Sequence, residues 1–352
     1  MKNKVFFTVI GIICACALLV MPCMSEASEK VIKMRVIHAY PGNTQHGRNA
    51  EKFKELAERY TNGRLAVTLY PNSSVCSITQ ELATVLSGGA EASYNINGIV
   101  ESIDHAEAIW TIPYLVRTDV GDIRHLRKAL RDPGVEGVLK KRQEKLGFHR
   151  FGSFTTCDGF GIYVNKRPIK TLEDFKGLKI RTPGGLLGDL FFKQLGANFI
   201  VVPGTEVPIA LQTGIIDGLS TAALHWHDAR WHTKYATLPY WCSYTLPFMA
   251  SLKWWNTLPN DIKNILDNKV IPEVMELADN QTEQLTAEAW KTVQKPPYNV
   301  QVYTMPKSEV LRIKNATQEV CIKKFRDVVG KDVADPMIQA VRKLTPPDLA
   351  FD

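Results

Sequence analysis

Residues able to do chemistry gather most densely in one octet, His225-Trp226-His227-Asp228-Ala229-Arg230-Trp231-His232. Three histidines so close together invite a metal reading. On a helix, however, His225 and His227 point about 200° apart, and no His-Glu-x-x-His spacing occurs, so zinc is a poor match. Two readings stay open: the octet lines a small-molecule pocket with rings that join an apolar face to a polar tip, or it is an amphipathic helix with buried tryptophans and exposed histidines. Just before it, Gly218-Leu219-Ser220-Thr221-Ala222 approaches a nucleophile elbow but lacks the fifth-position glycine that lets a strand turn sharply into a helix. Neither Gly-x-Gly-x-x-Gly nor Gly-x4-Gly-Lys-Ser/Thr is present, which argues against dinucleotide enzymes and P-loop NTPases. No nucleophile with a nearby base can be assembled, so an enzyme is not expected and no cofactor is implied.

The stretch from Ile169 to Pro183 carries more information. Ile169-Lys170-Thr171-Leu172-Glu173-Asp174-Phe175-Lys176-Gly177 reads as a short helix with a glycine stop, and Leu178-Lys179-Ile180-Arg181-Thr182 as a strand before Pro183. Arg181 thus sits at the carboxyl end of a strand, the end that faces the ligand crevice in α/β sheets. An arginine there can grip a carboxylate with two parallel charge-assisted hydrogen bonds, a geometry lysine cannot copy. The rival reading is a surface arginine.

Strands and helices alternate around these residues. Val31 to Ile37 is β-prone, and Ala50, Phe53, Leu56, Ala57 and Tyr60 then recur at helical spacing before Asn62-Gly63. Leu65, Val67 and Leu69 alternate in period two, and Ile78, Leu82, Val85 and Leu86 share a helix face closed by Gly88-Gly89. Further strands are expected at Phe148 to Phe151, Gly161 to Val164, Phe199 to Val202 and Val300 to Tyr303. A long helical pattern from about Leu258 to Gln294 is interrupted by Pro272, and one final helix follows the last strand. This order predicts an α/β architecture with largely parallel sheets.

The 352 residues predict about two domains. A mean hydropathy of −0.12 suits a folded, soluble chain. The net charge of +7 is scattered with no run of five or six like charges, so no nucleic-acid partner is expected. Lys2 and Lys4, an apolar run from Val5 to Met21 and the small residues Ser25 and Ala27 form a cleavable export signal over 1–27, with the mature chain beginning at Ser28. Cys14, Cys16 and Cys23 leave with it. Cys76, Cys157, Cys242 and Cys321 remain, with three pairings or free thiols all open.

The chain resembles a known family, the DctP-type extracytoplasmic solute-binding subunits of tripartite ATP-independent periplasmic (TRAP) transporters. The resemblance rests on several segments in order: Asn62-Gly63-Arg64 with Leu69-Tyr70-Pro71-Asn72-Ser73, Ile112-Pro113-Tyr114-Leu115, and Leu172 to Pro183. Gly196-Ala197 leading to Glu206, Ala210-Leu211-Gln212-Thr213-Gly214, Asp217-Gly218 and Trp255-Asn256-Thr257-Leu258-Pro259 complete it. It implies a two-lobed periplasmic binding protein of the Venus-flytrap type, with a hinge and a long helix bracing both lobes. Lobe I would take 28–157 and about 247–286, lobe II 158–246 and about 287–340. It also implies that Arg181 pairs with the ligand carboxylate, and that the ligand, a small organic acid, passes to a membrane permease driven by an ion gradient. The protein is expected to act in the periplasm as a monomer. The rivals are a secreted hydrolase and a ligand-binding partner of a sensor.

This sequence also departs from the family pattern. Members that bind sialic-acid-like ligands resemble one another in a second arginine about twenty residues before the first, where this chain has Gly161; Thr221 stands where asparagine is frequent. One strong cation suits a monocarboxylate, because a second buried carboxylate would lack a charged mate. With His225 and Trp226 following Thr221, the ligand body is expected to be aromatic or polar-cyclic and held by stacking. From the first lobe, His38, Tyr40, Asn95 and Asn97 follow strands and are candidates to reach the cleft, the rival being a local turn or cap role; Asp158 beside Gly159 is a candidate too, or equally a turn residue, and Glu206 and Asp217 are read as structural.

Overall fold

Ile32, Met34 and Val36 alternate with Lys33 and Arg35, and this simple pattern seeds the first of two sheets. A computed structural model describes residues 31–202, 204–231 and 233–350, with Thr205 given by its backbone alone. The segment read as an export signal, its three cysteines and His232 lie outside the described residues.

Strands are numbered in chain order. The first sheet runs β2 (Leu65–Tyr70), β1 (Ile32–Ile37), β3 (Ala92–Tyr94), β10 (Thr245–Ser251) and β4 (Phe148–Thr155). The second runs β11 (Gln301–Thr304), β9 (Tyr235–Cys242), β5 (Phe160–Val164), β8 (Gly218–Ala222), β6 (Lys179–Thr182) and β7 (Asn198–Val201). Sheets dominated by parallel pairs were expected, but both are mixed. β10 runs against β3 and β4, and β5 against β8 and β9. The antiparallel pairs come from strands that switch sheets: β4 leads to β5 and β9 to β10 through short links with no helix, so β5 and β10 each enter a sheet to which the preceding strand does not belong, with no crossover helix to set a parallel direction.

Those two links, at Thr156–Gly159 and Ser243–Tyr244, join the sheets, and a helical rod braces them. Helix Asn260–Ile265 passes through one π turn, Leu266–Val270, into helix Ile271–Val293. Pro272 marks an interruption of the rod without ending it: it stands in the first turn of helix Ile271–Val293, where its missing N–H costs little, and the wider turn lies just before it. Val274, Met275 and Ala278 enter the core of the first sheet, whereas Trp290 and Val293 enter a core on the second. Two C-terminal helices, Lys307–Val329 and Lys331–Lys343, replace the single one expected. Assigned to lobe II up to about residue 340, they divide: Val310 and Ile313 pack under the second sheet, but Cys321, Phe325, Met337 and Val341 pack into the first core. Cys76, Cys157, Cys242 and Cys321 are free thiols, the last three buried. No helix of the described residues is long and apolar enough to cross a membrane.

Candidate functional site

Arg181 lies one residue from the end of β6, in register with Ile200 of β7 and Leu219 of β8. Asp217 fixes the start of that strand: its carboxylate accepts the Lys179 N–H at 3.0 Å while its own N–H donates to the Lys179 carbonyl at 2.8 Å. The Arg181 side chain is 5% exposed. Its Nε donates to the Val202 carbonyl at 2.8 Å, and its guanidinium lies 5.4 Å from the centre of the Trp231 ring. The two terminal nitrogens make no hydrogen bond to the described residues, and no carboxylate pairs with them. Burial alone pulls the group down to about 10, still charged at neutral pH. A fixed, charged and unmatched guanidinium inside a protein is a site for an anion.

Trp231 links Arg181 to His225, whose ring stands edge-on to it at 4.8 Å. Enclosure by protein, with the nearby Arg181 charge, holds His225 down at about 4. Its outer surface nonetheless stays open to solvent, as a side chain in a cleft wall would be. Thr221 is 3% exposed, opposite Gly161 across the β5–β8 ladder. From the first sheet come His38 and Tyr40, at the end of β1, their rings stacked at 6.3 Å. His38 Nδ1 accepts the Tyr40 N–H at 3.3 Å, and burial lowers the histidine to about 4.

The remaining expectations are corrected. Trp226 does not face a ligand: it is fully buried, stacked on Tyr163 at 4.5 Å and beside Trp290 at 6.0 Å, a core residue. Its neighbour on a short helix turns a different way, which is why His225 and Trp226 part. Asn95 is spent on its own lobe, donating to the Ile78 carbonyl at 3.0 Å and to Glu81 at 3.1 Å while accepting the Ile96 N–H. Asn97 accepts the Thr245 N–H at 3.1 Å beside the second link. Asp158 braces the first link, accepting from Tyr240 Oη at 2.8 Å and from the Gly121 and Gly159 N–H groups; burial raises it to about 7.

Two residues packed against these candidates escaped the sequence. Trp231 belongs to the octet but lies beyond its helix, Ala223–Asp228, and returns to Arg181 through Arg230 at a φ of 56°. His46 follows the turn after Tyr40, with ring centres 4.5 Å apart, and no motif marks it. A groove of about 440 Å³ lined by Asn165, Lys234, Tyr235 and Tyr298 shares no residue with this site. No group of three or more His, Cys, Asp or Glu among the described residues is arranged to hold a metal ion.

A family model described as bacterial extracellular solute-binding protein, family 7, matches residues 36–327. A C4-dicarboxylate-binding periplasmic protein, DctP, of Rhodobacter capsulatus is 24% identical over 91% of this chain and 100% of its own. A monocarboxylate 2-oxoacid-binding periplasmic protein of Nostoc is 24% identical over 86% of this chain and 81% of its own. A solved TRAP periplasmic solute-binding protein from Ochrobactrum anthropi superposes with a TM-score of 0.81 at 24% identity, covering 89% of this chain and 96% of that one.

Proposed function

The chain belongs to family 7 of the bacterial extracellular solute-binding proteins, and on that premise we propose that it captures a monocarboxylate between its lobes and delivers it to a membrane permease. Proteins of this family are TRAP solute-binding proteins for small organic acids, periplasmic and not enzymes. The observation that carries the finer reading is Arg181, a buried guanidinium with Nε anchored and both terminal nitrogens unmatched. A carboxylate satisfies both at once. A dicarboxylate is disfavoured: the other groups assigned to the cleft, His38, Tyr40, Thr221 and His225, bring no second permanent cation. The ligand body therefore meets neutral polar and aromatic side chains, with Trp231 in the place first given to Trp226.

Binding draws the lobes together because only the closed form lets one ligand touch Arg181 and the opposite wall. We place the lobe boundary at the two extended links and the export signal at 1–27. The test is a thermal-shift screen of the chain from Ser28 against mono- and dicarboxylates, with Arg181→Ala beside the native protein. A monocarboxylate should raise the melting temperature of the native protein and leave the variant unmoved. A hit of equal size in both proteins would sink the role of Arg181, and tighter binding of a dicarboxylate would sink the monocarboxylate assignment.

A further inference from the structure

We infer that Glu101 and Tyr244 are positioning residues, which hold Arg181 in place by fastening the loop behind it to the second link and to the segment after β3. The inference rests on the reading of Arg181 as the carboxylate partner. Its own basis is the path of the chain between β6 and helix Gly188–Gln194. Pro183 has no N–H with which to prolong the ladder, and Gly184 and Gly185, at φ of 102° and 124°, turn the chain out of the second sheet. Leu187 then enters the core of the first sheet, with Leu186 and Leu190 packed against it, before Phe191 and Phe192 return to the core of the second. The strand that carries Arg181 is thus followed at once by a crossing to the other core and back.

Two hydrogen bonds pin this crossing. Tyr244, a residue of the second link, donates from Oη to the Gly184 carbonyl at 2.7 Å. Glu101, at the end of helix Asn97–Val100, accepts the Leu186 N–H at 2.7 Å. Asn97 joins the two: its amide oxygen accepts the Thr245 N–H at 3.1 Å, and its nitrogen donates to Glu101 at 3.4 Å. The fit is close. A Cβ on Gly185 would stand 3.1 Å from Tyr244 Oη and 3.5 Å from the Glu101 carboxyl, and one on Gly98 would stand 3.3 Å from the Tyr244 ring.

What the pins do follows from where the sheet lets go. β8 pairs with β6 only as far as Arg181, and the edge strand β7 only as far as Thr182. Thr182 Oγ1 accepts the Gly184 N–H at 3.2 Å, which shapes the turn but ties it only to its own strand. Beyond that point Glu101 and Tyr244 restrain a pair of glycines that would otherwise sample many conformations. Arg181 stands next to the released end, and two parallel bonds to one carboxylate demand a fixed guanidinium plane.

Solvent exchange of the Arg181 Nε–H, followed by NMR on the ligand-free chain from Ser28, tests this. Arg181→Lys identifies the signal by its loss. Tyr244→Phe keeps the ring stacked on Phe160 at 4.1 Å and removes one pin, and Glu101→Leu removes the other. Glu101→Gln keeps an acceptor; burial holds the carboxyl up at about 8, so a neutral amide is a close copy. In Tyr244→Phe and Glu101→Leu the Arg181 Nε–H should exchange at least about five-fold faster, the effect of one lost hydrogen bond on a local opening. Glu101→Gln should stay within about two-fold of the native protein. Backbone amides of β2, at the edge of the first sheet, should keep their native rates in every variant, which separates positioning from a general loss of stability. An Arg181 Nε–H as slow in Tyr244→Phe as in the native protein, or one that quickens only together with β2, overturns the inference; if Glu101→Leu does not fold, Tyr244→Phe decides alone. No carboxylate enters this experiment, so its failure leaves the carboxylate reading of Arg181 to the thermal-shift screen with Arg181→Ala.

Discussion

Arg150 and Arg181 are both hidden from solvent, and their surroundings explain their different roles. Arg150 is held by Glu107 and by Glu136 at 2.7 Å, with Ser153 at 2.6 Å, so its charge is answered within the fold. Arg181 is answered by one carbonyl and a ring face. Burying a charge without a mate costs several kcal/mol, and a ligand carboxylate recovers that cost only when bound. A third buried residue makes the same contrast testable. Tyr163 packs against both Trp226 and Trp290, and its hydroxyl has no partner among the described residues. It occupies the space over Gly161, where a Cβ would stand 2.8 Å from it, so a longer side chain at that position would have to displace the Tyr163 ring. An unmet buried hydroxyl costs about 1–3 kcal/mol. Tyr163→Phe should therefore raise stability by about 1 kcal/mol in urea unfolding. A loss of that size would mean that the hydroxyl holds a bond of its own.

At the scale of elements, the first turn of helix Gln45–Tyr60 is the vulnerable part. Gly47→Ala pushes a methyl into the Pro41–Gly42 backbone, and overpacking of this kind costs about 1–3 kcal/mol. The displacement falls on the turn that sets Tyr40 against His46. The expected result is a lower unfolding midpoint together with a weaker ligand-induced thermal shift; an unchanged shift would mean that the turn does not position the cleft wall. Such a turn is hard to read from sequence, because it depends on two backbones meeting rather than on a period. The units that follow a period were legible: β1, its helix and β2, and the strand that presents Arg181. β9 and β10 were not, since Pro239 and Pro247 interrupt runs that otherwise look like strands. Trp226 and Trp231 were confused for a related reason. Their roles depend on where a six-residue helix stops, and a helix end is settled by local backbone geometry. Asn95 and Asn97 lie where expected after β3, but a position does not reveal which way a side chain turns.

For the whole molecule, two opposed sets of buried groups set the response to pH. His38 and His225 are held at about 4 and His46 at about 3, below the 6.5 of a free histidine, chiefly by burial. Glu81 and Glu101 are raised to about 8 from 4.5, and Asp158 to about 7 from 3.8, again chiefly by burial. Between about pH 4.5 and 6.5 the unfolded chain takes up histidine protons that the fold refuses, while the fold keeps carboxyl protons that the unfolded chain releases, and the two slopes oppose each other. Above about 6.5 only the carboxyl set acts, so stability falls as pH rises towards 8. Below about 4.5 the histidine set acts, and stability falls as pH drops; His225, open to solvent, contributes least. Urea unfolding at pH 5, 6, 7 and 8 should therefore give its highest midpoint near 5 to 6 and a decline to 8. Glu101 ties that decline to the site, because its carboxyl accepts the Leu186 N–H at 2.7 Å, just beyond the strand that carries Arg181. Glu101→Gln keeps an acceptor there and has no proton to lose, so it should flatten the decline by about one proton, or roughly 1.4 kcal/mol per pH unit. A wild-type midpoint that rises from pH 6 to 8 would show these carboxyls ionised in the fold, and a variant as steep as the wild type would remove Glu101 from the set.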